Sequence, residues 1–262
     1  MLLFITAGPL AAQTPSRIEK IEFVDLPSAS RQTYQLFISL PNDYQISKKS
    51  YPVVYILDAD FNFLHLANLH RQLVETKQLE EAILIGIGYG TTFLEKGNNR
   101  WQDFSPTYLP KFPGSGKAQL FMDFLDKRLK PFVAEHYRIN EKSTIHGHSM
   151  AGLFLTYLLF ERPTLFDQYL ITSPALSWDK KFFEREKHYH AQYPNLKAKV
   201  FLTVAGEEGK KMKKGWGKLK AILESRKYSG LILSTQYYPN QSHIGVIPDA
   251  FTEGLLYLHN TE

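Results

Sequence analysis

The sequence predicts an α/β protein with a mainly parallel central sheet and helices on both faces. Three observations carry that prediction. Short β-rich runs alternate with stretches of helical periodicity. The runs 53–57, 82–85 and 200–204 are apolar throughout, as strands covered on both faces are. The first two runs have no helix between them, as an antiparallel edge hairpin would. At 262 residues the chain has room for one large domain or two small ones, at about 150 residues each. No repeat, low-complexity run or linker divides it, so one domain is the simplest parse.

Residues 1–12, MLLFITAGPLAA, are uncharged and mostly apolar, and end in the small pair Ala11-Ala12 before the chain turns polar. That is short of the roughly 20 residues of a membrane span and reads as a signal peptide. Residues 13–262 are then a single domain, periplasmic or secreted, or cytoplasmic if the leader does not act as one. Strands follow at 18–24 and 32–40, then at 53–57, with a helix over 61–76 and a strand at 82–87. Residues 89–116 lack periodicity and are dense in glycine and proline, the mark of a connection that covers or lines a site. Beyond it the pattern predicts a helix at 117–137, strand 143–145, helix 149–160, strands 168–172 and 199–204, helix 212–226, strand 231–237 and helix 248–259.

Composition narrows the chemistry. Lysine and arginine exceed aspartate and glutamate by 31 to 26, a net charge of +5, too small a surplus over this length to argue for nucleic acid. With 44% hydrophobic and 22% charged residues the chain is neither disordered nor a polytopic membrane protein. The absence of cysteine removes thiol catalysis, cysteine-ligated metal and disulfides together. A covalent nucleophile must therefore be Ser, Thr, Lys or a carboxylate.

One segment fits that requirement. Ser143-Thr144-Ile145-His146-Gly147-His148-Ser149-Met150-Ala151-Gly152 runs from a short strand into an apolar helical pattern. A serine on a sharp strand-to-helix turn needs small residues two positions either side, because a larger side chain would meet the neighbouring backbone. Gly147 and Ala151 meet that need. Such a serine requires a histidine base and a carboxylate to orient it; serine, acid, histidine is one of the orders in which these three occur along a chain. Glu207 and Glu208 stand in a turn at the end of the 199–204 strand, and His243 stands in the loop before the last helix. The joint order is harder to obtain by accident than any one part.

The chain here resembles the putative-esterase family of the α/β-hydrolases, which includes esterase D and the siderophore trilactone esterases. The resemblance rests on Tyr51 to Asp60, on Arg100 to Pro106, on the Gly147-His148-Ser149-Met150-Ala151-Gly152 turn, on Gly206 to Gly209 and on Ser242-His243. It departs from the family at Ala59 and Ala151, where glycine is usual. The resemblance implies an α/β-hydrolase fold with Ser149 as nucleophile, His243 as base and Glu208 as acid, Glu207 being the runner-up. It also implies an oxyanion hole from the backbone N–H of Met150 and of Asp60, with Ala59 as fallback. Arg100, Trp101 and His148 are candidate substrate contacts, and Arg100 could instead pair with Asp103 to brace the long loop.

Blander roles compete with these. Ser149 could merely cap its helix, and His243 could be a surface histidine. The pairs His146/His148 and His188/His190 lack the additional ligands a metal site wants, which favours packing roles and no metal. Gly86, Gly88 and Gly90 lack the spacing and the following helix of a dinucleotide loop. Lys210 to Lys214 is expected to be a solvated face. The activity predicted is cofactor-free hydrolysis of a small-molecule ester, aromatic or anionic in part. Acyl transfer by the same triad is the alternative, or a catalytically silent binding module.

Overall fold

The computed structural model describes residues 21–260 except 94, 180, 193 and 194. The proposed leader, and the first residues of the 18–24 strand, lie outside the described residues. Eight strands form one sheet: β1 (Ile21–Pro27), β2 (Thr33–Ser39), β3 (Tyr51–Leu57), β4 (Ile83–Gly88), β5 (Ile139–His148), β6 (Gln168–Thr172), β7 (Asn195–Ala205) and β8 (Ser229–Tyr238). Their spatial order is β1-β2-β4-β3-β5-β6-β7-β8. β1 pairs antiparallel with β2 and β2 with β4, and every later pairing is parallel. The opening hairpin is therefore the antiparallel edge that the sequence predicts.

The helices are α1 (Ala59–Glu75), α2 (Arg100–Asp103), α3 (Ala118–Phe124), α4 (Lys130–His136), α5 (Met150–Glu161), α6 (Phe182–Gln192), α7 (Lys210–Arg226) and α8 (Val246–Asn260). All seven residues of β3 are buried, and the period-2 alternation of a strand divides them between two cores. Val54 and Ile56 pack with Phe63 and Leu66 of α1 and Phe251 and Leu255 of α8. Val53, Tyr55 and Leu57 face the other side, with Phe121 of α3, Phe154 of α5 and Leu219 of α7. This two-sided burial is the physical source of the unbroken apolar run at 53–57.

Three elements depart from the sequence reading. The strand expected at 143–145 extends over Ile139–His148, since its exposed first half has no apolar signature. The helix expected at 117–137 is interrupted by a π-helical turn at Leu125–Leu129. The helix α6 was not predicted, because FFEREKHYHAQ is largely polar. No helix among the described residues is long and apolar enough to cross a membrane.

Candidate active site

β5 delivers Ser149 to the carboxyl edge of the sheet. The serine adopts φ 59°, ψ −113°, a conformation that L-residues seldom hold without support. Support comes from β6 and the loop after it: the Ser149 N–H donates to the Thr172 carbonyl (3.0 Å), and the Ser149 carbonyl accepts from Ala175 N–H and Leu153 N–H (2.9 Å each). A Cβ on Gly147 would lie 2.9 Å from the Ala151 carbonyl, so the turn excludes a side chain there. Gly152 is a third small position, where a Cβ would come within 3.1 Å of Pro174 and of the Thr172 carbonyl. Although Ser149 occupies the cap position of α5, its side chain makes no cap bond.

The hydroxyl faces a histidine instead. His243 Nε2 lies 3.1 Å from Ser149 Oγ, and His243 Nδ1 lies 2.6 Å from Glu208 Oε1. An ionised carboxylate only accepts, so this contact assigns the imidazole proton to Nδ1 and leaves the Nε2 lone pair toward the serine. The Glu208 side chain is 5% exposed and that of His243 37%. Glu207, its neighbour, points to solvent. The acid turn and the histidine loop are tied to each other: Gly206 N–H donates to the Tyr238 carbonyl (2.7 Å) and Glu207 N–H to the Gln241 carbonyl (3.1 Å). From the basic run, Lys213 Nζ donates to the Gly206 carbonyl (2.7 Å), so one of these lysines braces the acid turn rather than joining a solvated face.

His148 is 6% exposed, and its ring centroid lies 4.4 Å from that of His243. Burial first, then the neighbouring His243 and His146, hold its imidazole well below the usual histidine range, so it stays neutral beside His243. His146, fully buried against Phe251, is pushed down to about 3 by desolvation, and neither of its ring nitrogens has a hydrogen-bond partner among the described residues. No third His, Asp or Glu gathers with this pair into a metal-holding group among the described residues.

The N–H groups of Ala59, Asp60 and Met150 occupy the first turns of α1 and α5, where no intrahelical acceptor reaches. These helices start from the adjacent parallel strands β3 and β5. Of the two roles open to Arg100, the pairing with Asp103 is not formed among the described residues. Arg100 binds Asp58 through two bonds of 2.9 Å, from Nε to Oδ1 and from Nη2 to Oδ2. Asp103 is buried and accepts the hydroxyls of Tyr34 (2.8 Å) and Tyr89 (3.0 Å), and desolvation pushes its carboxyl up to about 6. Trp101 stacks on Phe112 at 3.8 Å, with Trp178 at 5.8 Å. The sequence reading missed Asp58, whose signal was its place at the end of an apolar strand, directly before a helix.

Comparison with known proteins agrees with this architecture. The chain is 33% identical over 165 residues to the ferri-bacillibactin esterase BesA of Bacillus subtilis, a match over 58% of this chain and 56% of that protein, just over half its length. It is 28% identical over 198 residues to a siderophore triacetylfusarinine C esterase of Aspergillus fumigatus, covering 70% of this chain and 68% of the other. An IroE-like serine hydrolase from Shewanella oneidensis superposes with a TM-score of 0.84 at 25% identity, over 92% of this chain and 80% of that one. The sequence pattern of the family described as Putative esterase matches residues 28–227, and the chain belongs to that family, on the α/β-hydrolase fold.

Proposed function

We propose that the protein is a serine ester hydrolase that works through an acyl-enzyme and takes siderophore esters as its substrates. The observation that carries the mechanism is the continuous contact from Glu208 through His243 to a serine in a strained turn, 2.6 Å and then 3.1 Å. Ser149 Oγ attacks the ester carbonyl as His243 Nε2 takes its proton. The tetrahedral oxyanion is met by the N–H of Met150 and that of Asp60. His243 then delivers its proton to the departing alcohol, and water repeats the sequence on the acyl-enzyme. Glu208 holds the tautomer and stabilises the imidazolium. The substrate class is carried over from the relatives, a ferri-bacillibactin esterase and a siderophore triacetylfusarinine C esterase by name.

The test is hydrolysis of a panel: a ferric and an iron-free triscatecholate trilactone, a ferric fusarinine-type ester, and chromogenic acyl esters of rising chain length. The reading expects kcat/KM to be highest on a siderophore ester. Turnover of simple esters alone would reject the substrate class, and turnover of none would reject the activity. Within the same reading, residues 1–12 are an export leader ahead of the catalytic domain 13–262, and N-terminal sequencing of the mature protein tests that.

A further inference from the structure

Two carboxylates fasten the segment after β4 to the start of α1. Asp58 sits in the left-handed region at φ 55°, ψ 43°, and its carboxylate receives both arms of the Arg100 guanidinium. The two side chains are each 12% exposed. The Asp58 carbonyl accepts the N–H of Phe61 (3.0 Å) and of Asn62 (3.2 Å), so this one residue also fixes the peptides that open α1. Asp60 in turn accepts the N–H of Tyr89 (2.6 Å) and Gly90 (2.9 Å). The register of β3 on β5 sets Ile56 opposite His146, which carries Asp58 to the level of His148, beside Ser149. Neighbouring strands lie about 4.8 Å apart. An unpaired carboxylate at Asp58 would thus stand close to the developing oxyanion and oppose it.

We propose that Arg100 is a positioning residue, which locks Asp58 so that the N–H of Asp60 aims at the oxyanion and which neutralises the Asp58 charge, and that it is not a receptor for substrate anions. The proposal rests on the oxyanion hole read above. A guanidinium already engaged fork to fork with a carboxylate would have to surrender that partner to take a substrate anion. Doing so would leave a nearly buried carboxylate unpaired.

The experiment compares Arg100→Lys, Arg100→Gln and the double variant Asp58→Asn/Arg100→Gln on a neutral acetyl ester and a succinyl ester of the same leaving group. Lysine retains the charge but loses the fork. The expected result is a kcat loss of about 10- to 100-fold in Arg100→Gln, equal on both esters and with KM little changed, below the full loss of one oxyanion donor at about 10²- to 10³-fold. Arg100→Lys should lose less, and the double variant should recover part of the Arg100→Gln loss, because the unpaired charge is gone. A loss confined to the succinyl ester and expressed in KM would overturn the proposal. A double variant worse than either single variant would also overturn it. Fluorophosphonate labelling of the wild type separates the two readings: labelling at Ser149 with no effect of Arg100 rejects this proposal alone, whereas no labelling rejects the serine mechanism on which it stands.

Discussion

Gly206 is the position where the acid turn and the histidine loop come closest, and Gly206→Ala is a sharp test of how the two are held. A Cβ there would run into the Pro239 carbonyl oxygen and lie 2.5 Å from the carbonyl carbon. Two backbone segments must then part by about 1 Å, in a place already pinned by the Gly206 N–H to Tyr238 bond of 2.7 Å. Glu208 follows two residues later and His243 four residues after Pro239, so the strain falls on the 2.6 Å contact between them. Displacement of a catalytic group by about 1 Å is worth on the order of 10²-fold in rate. Overpacking of this kind costs about 1–3 kcal/mol, which in a chain of this size lowers Tm by about 2–4 °C per kcal/mol. The assay is kcat on a chromogenic ester beside a thermal melt, with Gly209→Ala as the control, since nothing lies within 4 Å of a Cβ at that site. Gly209→Ala should be near neutral. An unchanged kcat in Gly206→Ala, with or without a lower Tm, would refute the claim that this contact sets the spacing of acid and base.

Further predictions concern the carboxylates, the buried histidine and metal. Glu208→Gln should lower kcat far more than Glu207→Gln, because only Glu208 is turned inward to His243 Nδ1; equal small losses would contradict that choice. His146 contributes stability that is present above the unfolded histidine pKa and lost as pH falls toward its folded value of about 3. Between pH 7 and pH 4.5 the wild type should therefore lose roughly 3 kcal/mol more than His146→Leu, measured by urea unfolding. The same loss in both proteins would show that this ring is not what the acid attacks. Activity should survive dialysis against EDTA, and a loss restored by zinc or calcium would reject the metal-free triad.

The fold was legible where burial is two-sided or strictly periodic. Val53 to Leu57 is apolar because both cores claim it, and Ser149 and Glu208 could be placed because each follows the buried end of a strand, Ser143 to His148 and Val200 to Ala205. What escaped was set by tertiary partners rather than local pattern. The pairing of Arg100 with Asp58 spans 42 residues and looks no different in sequence from a pairing with Asp103. The choice of Glu208 over Glu207 comes from the family resemblance alone, because two adjacent carboxylates in one turn look alike in local pattern; the Glu207 N–H is bonded to the Gln241 carbonyl across two loops. The helix α6 buries Glu186, whose carboxylate binds Arg226 and Tyr228, so its buried face mixes a carboxylate with Phe182 and Tyr189.

The central claim is that Ser149 is the nucleophile, and the measurement that meets it most directly is mass spectrometry of the protein after reaction with a fluorophosphonate. The account predicts a single adduct, mapped to the peptide that contains Ser149, formed with loss of esterase activity and abolished in Ser149→Ala. It also predicts that His243→Ala slows the labelling strongly, since the hydroxyl then has no base at 3.1 Å. An adduct on another residue, or a Ser149→Ala variant that retains wild-type turnover, would contradict it.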